Sequence, residues 1–315
     1  MTVLAILSDL VLEPLGFEFF RNALLASVIV GLLCGLMGVF VVLRGMSYIG
    51  HGLSHAAFGG AVAGYLLKLN FYVSATLGAL LAAVVIQRIS DGQRVKGDAA
   101  IGVVTNALFA IGVALLSSRH RFERSFEAAL FGNILGVQAL DLWVMAAALA
   151  VCGLAVGWFY RDLFFATFDS ETAEIAGVPA GRLWTVFSLL LALCIIASMN
   201  VVGVTMIASA LVMPAATARM LTESFHRMMV AAPLLGAATG VGGLFASYHL
   251  NVASGASIVM FGSLLFGAAW LWHGWRDTRA RRRTHLHRHG PIVHAHPHLG
   301  SHGGAAGTPR VKRVK

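Results

Sequence analysis

The chain has 315 residues, of which 58% are hydrophobic and only 12% charged, and its mean hydropathy is +0.79. Soluble domains carry about a quarter charged residues; here 11 of the 37 charges crowd into the last 40 residues, leaving 26 for the first 275, too few to clothe a water-soluble surface of that size. A soluble enzyme, a nucleic-acid-binding domain and a secreted disulfide scaffold are all poor readings, because the net charge of +9 comes largely from the tail and Cys34, Cys152 and Cys194 are few, odd in number and set in apolar runs.

Residues 1–20, with Asp9, Glu13 and Glu18, read as a short amphipathic lead-in. A helix needs roughly 20 apolar residues to cross about 30 Å of hydrocarbon. Stretches free of Lys, Arg, Asp and Glu follow at 22–43, 45–67, 69–87, 99–118, 142–160, 183–218 and 228–275. The last two are long enough for two spans each, with turns expected at Ser198-Met199-Asn200 and His249-Leu250-Asn251. The expectation is an all-α, polytopic membrane protein of about eight to nine transmembrane helices. A shorter apolar piece at 126–136 reads as interfacial or re-entrant. Gly31-x3-Gly35 and the series Gly236, Gly240, Gly242, Gly243 predict helices that approach closely.

Alternating the spans from a cytoplasmic C-terminus places eighteen Lys/Arg inside and five outside, which favours that orientation. The loop 162–182 (Asp162, Asp169, Glu171, Glu174, Arg182) then falls inside. It is the most polar inter-span loop and carries the end signals of a short amphipathic helix at Gly177 and Pro179. The chain thus divides into a transmembrane domain, 1–275, and a basic, histidine-rich, disordered cytoplasmic tail, 276–315.

No GxxxxGK[ST] phosphate loop is present, and the spans hold no run of acidic or basic residues to relay protons. The chain is therefore a passive pore or the membrane subunit of a machine whose motor is a separate polypeptide; it is not itself an enzyme. The metal-ligating groups that stand out inside the spans are histidines. His51 and His55 open the second span at i and i+4, on one helix face. Neutral imidazole suits zinc, copper, nickel or iron and is a poor match for magnesium or calcium. The competing reading is a pair of histidines that merely hydrogen-bond inside a bundle.

Several segments, in order, resemble the permease subunits of bacterial ABC importers for zinc, manganese and iron, the ABC-3 family. They are Arg21-Asn22-Ala23-Leu24-Leu25, the run from Gly31 to Arg44, Ser54-His55-Ala56, Gly97-Asp98-Ala99-Ala100-Ile101-Gly102 and Leu130 to Leu135. Further on come Phe168-Asp169, Ala176-Gly177-Val178, Val202-Gly203, Pro214 to Arg219 and Gly255 to Val259. The resemblance implies a type II-like permease fold in the bacterial plasma membrane, a homodimer, and two cytoplasmic ATPase subunits. It also implies an extracytoplasmic metal-binding protein that delivers the ion and no permanently bound cofactor. It casts Asp169, Glu171, Glu174 and Gly177 as the segment that couples to the ATPase. Members of that family commonly carry Asp where this chain has His51, proline near Gly59 and at Ala253, and Asp at the position of Asn251. Losing a hard oxygen ligand weakens manganese more than zinc, so transported zinc is expected, with manganese or iron as the alternative. A self-sufficient metal channel or secondary carrier is the reading from another class, against which the missing relay carboxylates count. A membrane-anchored metal sensor and a siderophore or cobalamin permease fit less well.

Beyond Arg276 a basic cluster suited to anionic lipid headgroups runs into His285, His287 and His289, then His294, His296 and His298, then His302. Gly and Pro interruptions and few apolar residues give this tract no core to fold around. Such tracts gather borderline metals through weak imidazole contacts, so the tail is a spacer, an ion buffer or a regulatory metal site.

Overall fold

The computed structural model describes residues 12–91, 97–118, 130–282, 284–289 and 292–297. Each apolar stretch becomes a helix. In order they are α1 (Glu18–Leu43), α2 (Ser47–Leu66), α3 (Phe71–Asp91), α4 (Gly97–Ser117) and α5 (Ala139–Trp158). Two short helices follow, α6 (Tyr160–Phe168) and α7 (Ser170–Ile175), then α8 (Ala180–Val202), α9 (Ile207–Leu221), α10 (Phe225–Leu250) and α11 (Ser254–Arg282). Among the described residues, six helices are long and apolar enough to cross a membrane: α1, α4, α5, α8, α10 and the apolar part of α11. Phe71–Ile86 and Ile207–Leu221 are apolar but shorter, and α2, with five glycines, two histidines and Ser54, is not among the six.

The two long runs break where backbone chemistry permits. α10 ends at Asn251 in the left-handed conformation (φ 53°), inside the expected turn. α8 runs through Ser198–Asn200 and stops only at Gly203, whose φ of 87° is open to glycine. Asn200 does not turn the chain because it is used otherwise: its carbonyl accepts the Asn133 amide at 3.0 Å. The expected re-entrant piece is a 3-10 turn, Ile134–Gly136, against this break. Thr205 Oγ1 donates to the Leu130 carbonyl at 2.8 Å and Ser254 Oγ accepts the Ile134 amide at 3.3 Å. Residues 126–129 lie outside the described set.

The chain divides into two units, Met1–Ala269 and Trp270–Lys315. In the first, α1 is the central element. A Cβ on Gly31 would stand 2.3 Å from the Gly236 carbonyl oxygen, so α1 and α10 touch backbone to backbone, as the glycine spacing predicts. Phe20, Leu33, Met37 and Phe40 of α1 pack with Met145, Leu191, Ile195 and Met228 in one buried cluster. A smaller cluster, with Phe58, Val62 and Ala79, joins α2 and α3 to Ile196 and Met199 of α8. The cysteines are free and buried, as expected.

In the second unit the tail, expected to be without structure, has regular backbone in its described residues. α11 continues to Arg282, and β1 (Thr284–His289) pairs antiparallel with β2 (Ile292–Pro297). The physical reason lies in the alternation: His-x-His-x-His has the period of a strand. His298 and His302 lie outside the described residues.

Candidate metal centre

The candidate site grows from α2. The i, i+4 spacing brings the His51 and His55 rings to 4.1 Å between centroids. His55 is buried, 9% exposed, and His51 half-buried. The local backbone is pinned by Ser54, whose Oγ lies 2.8 Å from the His51 carbonyl and 3.2 Å from that of Val204, in the α8–α9 break. α4 then runs unusually close. A Cβ on Gly59 would sit 2.4 Å from the Leu108 carbonyl oxygen, so only glycine allows this approach. It brings Phe109 to stack on His55 at 4.3 Å and Asn106 Oδ1 to within 3.4 Å of His55 Nδ1.

Asn106 was not legible as a site residue, although an amide in the stretch 99–118, which is free of charged residues, is a signal. In the tautomer protonated on Nδ1, His55 donates to the Asn106 oxygen and keeps Nε2 free as a ligand. This outer-shell partner is the kind that orients metal-binding histidines. Among the described side chains no third His, Cys, Asp or Glu joins the pair. One chain thus offers two nitrogens, short of the four donors that tetrahedral zinc takes. The pair lies at an open face: Tyr48, Val103 and Asn106 beside it are exposed.

A second polar cluster joins three helices. Tyr72 of α3 donates its hydroxyl proton to Asp141 of α5, and Asn200 Nδ2 of α8 donates to the Tyr72 oxygen at 3.1 Å. Asp141 Oδ2 also accepts the Gln138 amide at 3.0 Å.

The polar loop folds as expected into a short helix, α7, stopped at Gly177 (φ 87°). Asp169 caps it, accepting the Thr172 amide at 2.9 Å and the Thr172 hydroxyl at 2.5 Å, which together hold its carboxyl below the usual carboxylate range. Glu171 and Glu174 are exposed. Beside them lies a cleft of about 970 Å³ lined by Trp158, Arg161, Asp162 and Phe165. α6 is fastened from below by aromatic rings. Phe164 meets Phe225 of α10 at 4.9 Å, Phe225 meets Phe40 of α1 at 5.9 Å, and Phe40 meets Phe187 of α8 at 5.6 Å.

The profile of the ABC 3 transport family matches residues 16–272. The chain belongs to the ABC 3 transport family. Among its relatives is the manganese transport system membrane protein MntC of Halalkalibacterium halodurans, 34% identical over 86% of this chain and 96% of that protein. A probable iron transport system membrane protein of Haemophilus influenzae is 33% identical over 82% of this chain and 95% of its own length. Among solved structures, PsaBC from Streptococcus pneumoniae in complex with Fab superposes with a TM-score of 0.78 at 32% identity, covering 84% of this chain and 95% of that one. The first two carry manganese and iron in their names, and zinc appears in none of the three.

Proposed function

We propose that this ABC 3 family member is the permease subunit of an ATP-driven importer of divalent transition-metal ions, in a bacterial plasma membrane with its C-terminus in the cytoplasm. The observation that carries the reading is the His51–His55 pair, held by Ser54 and Asn106 at an open face of apolar helices. A polar amide facing lipid is costly, and a second copy laid against α2 and α4 would cover Asn106. The two copies would bring four imidazoles to one ion, completing a tetrahedral set that suits zinc. The ion must also leave, so the set forms in one access state and separates in the other. Binding protein delivery outside and ATPase closure inside, at Asp169, Glu171, Glu174 and Gly177, would drive the exchange.

The names of the relatives favour a second reading, manganese or iron as cargo, with the imidazole pair a departure within the same machinery. Uptake of Zn²⁺, Mn²⁺ and Fe²⁺ side by side, by the permease with its ATPase in proteoliposomes, separates the two. Replacing His51 and His55 together by alanine is expected to abolish ATP-dependent uptake while ATPase binding persists. Wild-type uptake by that double variant would overturn the site. For the coupling segment, Glu171→Lys with Glu174→Lys is expected to weaken ATPase assembly. A variant complex that hydrolyses ATP and transports normally would make the loop a plain connector.

A further inference from the structure

Away from the histidine pair, the bundle carries an apolar groove with a cationic end. It is a cavity of about 380 Å³ between α2, α3 and α8, with Leu53, Leu80, Val84, Gly181, Trp184 and Leu189 in its walls. No carboxylate lines it. Its hydroxyls are already engaged with their own helix: Thr185 Oγ1 donates to the Gly181 carbonyl at 3.0 Å and Ser188 Oγ to that of Trp184 at 2.9 Å. The walls therefore offer a ligand little but hydrocarbon. Val84 and Leu189 are exposed, so the groove opens outward from the helices.

The α8 wall runs from Gly181 to Leu189, about 12 Å at roughly 1.5 Å per residue. One leaflet holds about 15 Å of hydrocarbon, half of a bilayer core of about 30 Å. The groove thus has most of the depth of a single leaflet. Cations stand at one end of it. Arg88 follows Leu80 and Val84 at steps of four, so it continues their face of α3 one turn beyond the groove, and it is exposed. Arg44, just past α1, holds its guanidinium carbon 3.4 Å from the centroid of the Trp184 ring. The indole N–H of Trp184 is buried and has no acceptor among the described residues. Two cations and an unanswered donor thus meet the end of an apolar slot whose lining contains no anion.

We propose that this groove binds one anionic phospholipid, with an acyl chain along Leu53, Val84 and Leu189 and its phosphate between Arg44 and Arg88. A zwitterionic lipid has the same chains but also a cationic headgroup nitrogen, which the arginines repel, so charge complementarity selects the anionic head. The bound lipid would tie α2, which carries His51 and His55, to α8. The assignment rests on none of the metal chemistry above, and every variant below keeps both histidines.

The test uses the full-length permease purified in detergent and offered phosphatidylglycerol and phosphatidylcholine of identical chains, with retained lipid counted by native mass spectrometry. Wild type is expected to retain phosphatidylglycerol with a preference of about thirtyfold, each arginine contributing roughly fivefold. Arg88→Gln, at an exposed position, is expected to lose about fivefold of that preference, and Arg44→Gln with Arg88→Gln nearly all of it. Ala83→Leu fills the groove at unchanged charge and is expected to lose retained lipid of either kind. Arg227→Gln removes an exposed charge from the first turn of α10 and is expected to change nothing. Glycerol phosphate, a head without chains, is expected not to displace the lipid even in large excess. Equal retention of the two lipids would overturn the site. So would a preference untouched by Arg88→Gln or equally reduced by Arg227→Gln, retention undiminished in Ala83→Leu, or displacement by glycerol phosphate.

Discussion

α1 and α4 are both apolar helices of membrane-crossing length, yet 61% of the apolar stretch of α1 is buried within the chain and only 28% of that of α4. α1 is locked to α10 by backbone contact at Gly31 and Gly236 and packs its phenylalanines into the main cluster. α4 touches α2 closely at Gly59 and otherwise leaves Val103, Asn106 and Ile111 exposed. The difference separates a scaffold that satisfies itself from a corner that is unfinished in one chain. The histidine pair belongs to the unfinished corner, where the proposed ligand set from two copies would open and close without unpacking the core.

The contrast is broken most severely from the scaffold side. Gly236→Leu puts side-chain atoms where the Gly31 carbonyl oxygen stands, 2.0 Å from a Cβ at this position. With backbone as the obstacle, a loss of about 3 kcal/mol is expected, read as a lower melting temperature and lost yield of folded permease in detergent. A variant as stable as wild type would show that α1 and α10 are not held together there. At the corner, Asn106→Ala should leave stability nearly unchanged, because the residue is exposed, and weaken metal uptake or binding by about tenfold through loss of the His55 partner. An unchanged metal affinity would remove Asn106 from the site. The smallest effect is expected where the two regions are tied. Tyr72→Phe deletes the hydroxyl that links Asp141 to Asn200 and should cost about 1 kcal/mol. Denaturant midpoints for Tyr72→Phe, Asn200→Ala and the double variant measure it, and strictly additive losses would show that the two side chains do not interact.

The helices were legible because lipid-crossing segments announce themselves by an absence of charge. The α10–α11 break was legible too, since Asn251 tolerates the left-handed backbone that ends a helix. Ser198–Asn200 misled for a reason: a polar cluster inside an apolar run has the same appearance whether it turns the chain or anchors it. Only the fold brings Tyr72 and Asn133 to Asn200. At the site, the i, i+4 rule was sufficient for His51 and His55, since both lie on one helix. Asn106 lies 51 positions from His55, and nothing in the local pattern of α4 states which helix it will face. The tail shows a different lesson. Its composition argued against a core, yet its alternation has the period of a strand, and the backbone of 284–289 pairs with that of 292–297.

The rings of Phe164, Phe225, Phe40 and Phe187 form a chain of edge-to-face contacts from α6 into α10, α1 and α8. Such contacts are close-packed and resist compression. A displacement imposed on α6 would therefore be passed on to α10, α1 and α8, while no ring of this series belongs to α2 or α4. On the proposed reading, force would enter through α6 and the ion would sit beside α2 and α4. Transport in such an arrangement would be governed by the packing between the two, and the pace of cargo release would be set by how readily that packing shears.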